Sequence, residues 1–234
     1  MRRQTKLAIF DIDGTIFRSS LVIELSHALV EAGIFPILAR KEIEKEYLAW
    51  LNRKGSYEAY INKVVKIYVK HIVGKSFAGV DKVAKQVINF QKDRVYRYTR
   101  DLIVKLKHRQ YFLVAISGSP SYIVKKYAKA VGFNLFFGTE LEVGAGKFTG
   151  KITSLDSAYN KAKIVKDLAR KYGANLKSSL AVGDTENDIP MLKLVGRPIA
   201  FNPNLGLAKI AKRSGWQVVV ERKDVIYSLQ KYDF

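Results

Sequence analysis

Four consecutive apolar residues, Leu7 to Phe10, run into Asp-Ile-Asp-Gly-Thr at 11–15, the pattern of a buried strand that stops at two carboxylates and a glycine turn. Beyond it the apolar positions recur at helical spacing. Leu21, Val22, Leu25, Ala28, Leu29 and Ala32 form one stripe, with Ser19 or Ser20 as its cap and Gly33 and Pro36 as its end. Further helical patterns cover 37–53, 57–73 and 79–94, punctuated by Gly55, Gly74 and Gly79. No strand signal occurs between about 18 and 95, so this stretch reads as a helical insert.

Past the insert the period changes. A helix over 97–109 is followed by a β-rich run, Tyr111 to Ser117, that ends in Gly118, Ser119 and Pro120. A helix over 121–132, a short strand at Leu135 to Phe137, and a hairpin over 140–152 around Gly-Ala-Gly come next. A helix over 157–173 then precedes strands at Ser179 to Val182, Arg197 to Phe201 and Trp216 to Val220. Strands alternating with helices predict an α/β fold with a doubly wound, mainly parallel sheet, whose ligands bind beyond the carboxyl ends of the strands. Three strands end in polar clusters: Asp11/Asp13, Ser117/Gly118 and Asp184/Asp188.

Composition narrows the chemistry. The 234 residues contain no cysteine, which excludes disulfides, thiolate metal sites and a cysteine nucleophile, and suits a reducing, cytoplasmic setting. The three histidines, His27, His71 and His108, lie far apart and read as surface or packing residues. The opening MRRQTKLAIF has the basic-then-apolar look of a signal peptide, but Asp11 cuts the apolar run after four residues, and no stretch has the length of a membrane span. The net charge is +20, concentrated in residues 61–130, which hold 16 basic and 3 acidic side chains. Such a field attracts anions: nucleic acid, an anionic membrane face or a phosphorylated small molecule. No nucleic-acid recognition motif accompanies it, which speaks against nucleic acid as partner, and the same excess reads equally as a lysine-rich solvated surface.

The strand-end residues supply the matching chemistry. Asp11 and Asp13 open like a calcium loop, but the sixth position would be Ile16 and the twelfth Val22, so calcium is rejected. The other reading makes one carboxylate a nucleophile and its neighbour a general acid/base. Asp184 and Asp188, beside Asn187, offer the oxygen-rich set that suits Mg²⁺. Ser117 and the amides freed by Gly118 make a candidate phosphate nest, and Lys161 or Lys163 can balance the charge of a transferring phosphoryl group.

The order of these pieces (Asp-x-Asp-Gly-Thr, then Ser-Gly, then Lys, then Gly-Asp-x-x-Asn-Asp) resembles the haloacid dehalogenase superfamily, subfamily IB, the phosphoserine phosphatase-like branch. That resemblance implies a Rossmann-like core over 1–17 and 96–234, and a helical, C1-type cap over 18–95, inserted after the first strand. It implies a Mg²⁺-dependent phosphatase in which Asp11 is phosphorylated and Asp13 protonates the leaving alcohol and then activates water. Thr15 would support the loop, Ser117 and Gly118 would hold phosphate, and Asn187 would face it. Lys161 would steady the phosphoryl charge, with Lys163 still open. Asp184 would bind Mg²⁺ with the Asp11 carboxylate and the Asp13 carbonyl, and Asp188 would join that metal cluster and brace its loop. Two alternatives stay open: a phosphotransferase or phosphomutase using the same intermediate, and a polyanion-binding protein with relic motifs. One position departs from the pattern. Where phosphoserine phosphatases carry a glutamate that reads the substrate amine, this chain has Ser20, while nearby Arg18 suits a substrate with a second anionic group.

Overall fold

The computed structural model describes residues 5–229; the outermost residues of the expected core, 1–4 and 230–234, lie outside that range. Its strands are β1 (Leu7–Asp11), β2 (Phe112–Pro120), β3 (Leu135–Gly144), β4 (Lys147–Ser154), β5 (Leu180–Gly183), β6 (Arg197–Phe201), β7 (Gln217–Arg222) and β8 (Val225–Leu229). They form one sheet in the order β4-β3-β2-β1-β5-β6-β7-β8, parallel except for the two edge strands. The chain builds outward from β1 to one side and then returns to build the other, so β1 lies at the switch point where α/β sheets bind ligands. Asp11 pairs with Ile116 and Phe10 with Val182, which puts Ser117 and Asp184 just beyond the same sheet edge as Asp11.

Side chains alternate across each strand, and the two faces have separate apolar clusters. Ala8 and Phe10 join Leu113, Ala115 and Val182 on one face. Leu7 and Ile9 join Val114, Ile116 and Ala181 on the other. Asp11 continues the row of Leu7 and Ile9. It therefore ends on the second face, covered by α8 (Lys161–Tyr172), α9 (Ile189–Leu192) and α10 (Leu205–Ser214).

Between β1 and β2 the chain forms α1 (Leu21–Glu31), α2 (Ile37–Leu51), α3 (Tyr57–Ile72), α4 (Phe77–Gln91) and α5 (Arg97–His108). The helical insertion after the first strand is thus present. Leu25 and Leu29 of α1, Val64 and Tyr68 of α3, and Ala84 and Ile88 of α4 belong to the same cluster as Phe10. Helix α4 also packs on α6 (Ser121–Val131), so the insert is seated on the sheet by shared apolar burial.

Four local expectations change. The helix expected over 157–173 is broken into α7 (Asp156–Tyr159) and α8, because Asn160 leaves helical geometry at φ −124° and donates its side-chain amide to Asp156 at 2.9 Å. The strand at Leu135 and the first hairpin strand are one continuous β3, and a further strand, β8, follows Trp216–Val220 through a turn at Lys223. Ser20 is the N-cap residue of α1 by position, but its side chain does not cap; the Asp13 carboxylate accepts from the Leu21 amide instead, at 2.6 Å. Glycine at 138 reflects close packing of β3 on α6, since a Cβ there would lie 2.5 Å from the Ser121 Cα. Gly138→Ala should therefore lower stability by about 1–3 kcal/mol in urea unfolding. A midpoint equal to that of the parent protein would contradict this packing.

Candidate active site

The row that sends Asp11 to the α8 face has a direct consequence. The break at Asn160 makes Lys161 the first residue of α8, and its buried ammonium donates to Asp11 Oδ1 at 2.6 Å and to Asp188 Oδ1 at 2.7 Å. Lys163, two residues on, is exposed and pairs with Asp156. The other oxygen of Asp188 accepts from the amides of Asp184 and Thr185, at 2.9 and 3.1 Å, so this carboxylate ties the loop after β5 to the lysine. Gly183 leaves room for it, because a Cβ there would meet the Asp188 carboxyl at 2.3 Å. Thr15 donates to Asp184 Oδ1 at 3.1 Å, while its carbonyl receives the Thr99 hydroxyl of α5 at 3.0 Å. The strand-end carboxylates are therefore held from both sequence-distant loops.

Asp13 has a different environment. Ser117 and Ser119 both donate hydroxyl hydrogen bonds to its Oδ2, and the α1 amide of Leu21 binds its Oδ1. The Ser119 hydroxyl also accepts from the Val22 amide at 3.2 Å, so the first turn of α1 is capped by this serine and by Asp13 together. Gly118 stands at the cavity wall, and its carbonyl accepts from Thr139 at 2.7 Å. Ser117 thus reaches Asp13 directly, an engagement its motif alone did not indicate.

Burial sets the electrostatics. It pushes Asp11 up to about 7, with Asp188 and Asp13 adding to the rise and Lys161 opposing it. Asp184 is driven well above the usual carboxylate range by burial and by Asp11 and Asp188. Asp13 is also raised by burial, against the pull of its three donors. Burial acts to discharge Lys161, but Asp11 and Asp188 outweigh it and hold the ammonium charged.

Ligand oxygens of Asp11, Asp184 and Asp188 lie within 4.8 Å of one another. Asp188 spends both oxygens on Lys161 and the loop amides, which leaves Asp11 and Asp184 as the carboxylates open to an ion. Asp184 Oδ2 points toward Gly14, where a Cβ would lie 2.2 Å away, and the Asp13 carbonyl accepts no main-chain hydrogen bond among the described residues. Crowded, proton-seeking carboxylates with oxygen-only donors fit a hard divalent cation.

A family model for haloacid dehalogenase-like hydrolases matches residues 8–193. The chain belongs to this family. It is a phosphoserine phosphatase-like member: it is 27% identical to a phosphoserine phosphatase of Methanocaldococcus jannaschii over 96% of both chains. It is 28% identical to one from Archaeoglobus fulgidus over 91% of this chain, but spans only 57% of that relative's length. A solved structure described as a phospho-aspartyl intermediate analogue of phosphoserine phosphatase superposes with a TM-score of 0.65 at 27% identity, covering 95% of this chain and 96% of the other.

In this hydrolase the insert completes the site. A cavity of about 130 Å³ contains Asp11, Asp13, Lys161, Asp184 and Asn187 at its floor, and Tyr57, Glu58 and Ile61 of α3 at its roof. Glu58 stands near Glu186 and Asn187, and burial together with the Glu186 charge raises its carboxyl above its ordinary value. Burial and the charges of Asp184 and Asp13 raise the Tyr57 phenol far above its ordinary value, which reflects how close that ring stands to the carboxylates. Arg18 does not line this cavity. It is exposed in an adjoining cleft of about 1120 Å³ that shares Tyr57, Asp184 and Thr185 with the cavity, and it stands on the Tyr96 ring, with Arg53, Arg94 and Lys209 also in that cleft. Ser119, Tyr57, Glu58 and Ile61 carried no motif, and only Ser119, beside Ser117 and Gly118, had a neighbouring signal.

Two substitutions separate the lysines. Lys161→Met strands Asp11 and Asp188 in a buried site and should cost about 3–5 kcal/mol, whereas Lys163→Ala should stay within about 0.5 kcal/mol. Equal urea midpoints for the two variants would remove Lys161 from its bridging position. Gly14→Ala, strained at φ +83° and directed at Asp184, should weaken Mg²⁺ binding in calorimetric titration at least ten-fold.

Proposed function

We propose that the protein is a Mg²⁺-dependent phosphatase that hydrolyses a small phosphomonoester through a phosphorylated Asp11. The observation that carries this reading is the buried Asp11–Lys161–Asp188 bridge beside Asp184, with Asp13 oriented by three donors. A relic would not be expected to keep buried charges in mutual register, since unpaired ones are costly.

In the first step an Asp11 oxygen forms a bond to phosphorus, the ester P–O bond breaks, and Asp13 gives its proton to the departing alcohol oxygen. In the second, Asp13 takes a proton from water, the hydroxide oxygen bonds to phosphorus, and the Asp11–phosphorus bond breaks to release phosphate. Burial favours the protonated form of Asp13 for the first step, and the donors from Ser117, Ser119 and Leu21 stabilise the carboxylate it becomes for the second. Lys161 keeps a fixed positive charge next to the attacking oxygen, so charge accumulating on the phosphoryl group is met without reorganisation. Asp11 and Asp184, with the Asp13 carbonyl, would hold Mg²⁺, which when bound supplies charge neutralisation and orientation at the phosphoryl oxygens. Gly118 and Asn187 line the cavity where those oxygens would lie, and Thr15 steadies Asp184.

Residues 18–95 serve as the cap and 96 onward, with the first strand, as the core. The roof formed by Tyr57, Glu58 and Ile61 covers one side of the carboxylates, and the small volume suits a phosphorylated metabolite more than a polymer. No described helix is long and apolar enough to cross a membrane.

Asp11→Asn should abolish Mg²⁺-dependent phosphate release while leaving the far-ultraviolet circular dichroism and unfolding midpoint near those of the parent. Parent-like turnover in that variant would refute the nucleophile. Phosphoryl passed to an added alcohol in place of release would make the enzyme a phosphotransferase instead.

A further inference from the structure

The walls of the catalytic cavity restrict what the alcohol part of the ester can be. Glu58, Ile61, Asn62 and Val65 recur at intervals of three or four, so one face of α3 looks into the cavity, and Val22 adds to it from α1. The charged residues lining this space are four acids, Asp11, Asp13, Glu58 and Asp184, and one base, Lys161. Two of the base's three N–H donors are already held by Asp11 and Asp188, at 2.6 and 2.7 Å, which leaves one for the substrate phosphate. Glu58 forms no ion pair among the described residues, and the charged group nearest it is another carboxylate, Glu186, whose charge together with burial raises the Glu58 carboxyl. The neighbouring cations, Arg18, Arg53, Arg94 and Lys209, line the adjoining cleft, which meets the cavity at Tyr57, Asp184 and Thr185, and none of them lines the cavity itself.

A substrate phosphate would be met by Lys161 and by an ion on Asp11 and Asp184. A second anion, on the alcohol, would find no further cation: the remaining lining is apolar, as at Val22, Ile61 and Val65, or neutral and polar, as at Asn62, Tyr57 and Tyr159, apart from the acid Glu58. Removing a carboxylate from water without a cationic partner is expensive, and a like charge nearby adds to that cost. We propose that this cavity selects phosphomonoesters whose alcohol carries no anionic group, neutral or amine-bearing, and that the inward face of α3 around Asn62 is the selecting element. The inference rests on the phosphatase reading. It also separates this enzyme from its phosphoserine phosphatase relatives in substrate while keeping their chemistry.

Three esters isolate the groups concerned: propyl phosphate, phosphoethanolamine, which exchanges its methyl for an ammonium, and phosphoserine, which adds a carboxylate to the latter. With Mg²⁺ present, kcat/KM for phosphoserine should be at least ten-fold below that of each of the other two, about 1.4 kcal/mol in transition-state binding. Asn62→Arg, which places a cation on the α3 face, should narrow the gap between phosphoserine and phosphoethanolamine at least three-fold. Phosphoserine turnover equal to or above that of the other two esters overturns the proposal, as does a folded Asn62→Arg variant with an unchanged ratio. Hydrolysis of p-nitrophenyl phosphate alone, with propyl phosphate and phosphoethanolamine untouched, also overturns it but leaves the phosphatase reading standing. Absence of Mg²⁺-dependent phosphate release from all four esters overturns the phosphatase reading itself.

Discussion

A lysine ammonium buried between two carboxylates is tolerable only when all three groups are held within hydrogen-bonding distance, and the bridge from Asp11 through Lys161 to Asp188 meets that condition. Much of the surrounding structure follows from it. Strand β1 must end on the α8 face, α8 must begin at Lys161, and the loop after β5 must turn tightly enough for Asp188 to bind the amides of Asp184 and Thr185. Glycine at 183 and the break at Asn160 both serve this geometry. The bridge makes little net contribution to stability beyond what an apolar replacement would give, so its value lies in presenting a fixed charge next to a buried carboxylate.

Asp13 links the chemistry to the insert. Its carboxylate closes the first turn of α1 while receiving both serine hydroxyls of the β2 end, and Ser119 holds the next α1 amide. In the proposed mechanism, proton transfer at Asp13 is thereby coupled to the first helix of the insert. From the other side, Glu58 of α3 stands near Glu186 and Asn187 in the loop that carries Asp184 and Asp188. The hydrogen bonds of Asp13 and Ser119 join floor and insert at the α1 end, and the shared apolar cluster beneath α1, α3 and α4 fixes their spacing.

The large positive charge is a property of the surface. In the basic stretch 61–130, Lys63 and Lys70 are exposed and pair with Glu46 and Glu42 of α2, arrangements that contribute little to stability in water. The catalytic cavity is by contrast predominantly acidic. The field of the whole molecule can gather anions, but which anion is accepted depends on the few residues facing the reacting phosphate.

The sequence by itself determined the mainly parallel α/β architecture and the polar clusters at three of its strand ends. Residues 7–15 show an apolar run ending in paired carboxylates, and local patterns of that kind survive without knowledge of distant contacts, because strand alternation and glycine turns are encoded by neighbours. The same holds for the long helical insert. What depended on the tertiary structure was everything decided by side chains meeting across the chain. Lys161 and Lys163 are equivalent in sequence, and only the break at Asn160 and the row Leu7, Ile9, Asp11 make one buried and the other exposed. Ser20 has the right chemistry for a cap, yet Asp13 occupies the amide because the sheet edge delivers a charged acceptor there. Glu58, Ile61 and Asn62 look like any amphipathic helix until α3 is laid over the strand ends, since a helical stripe records which face is inward but not what that face will meet.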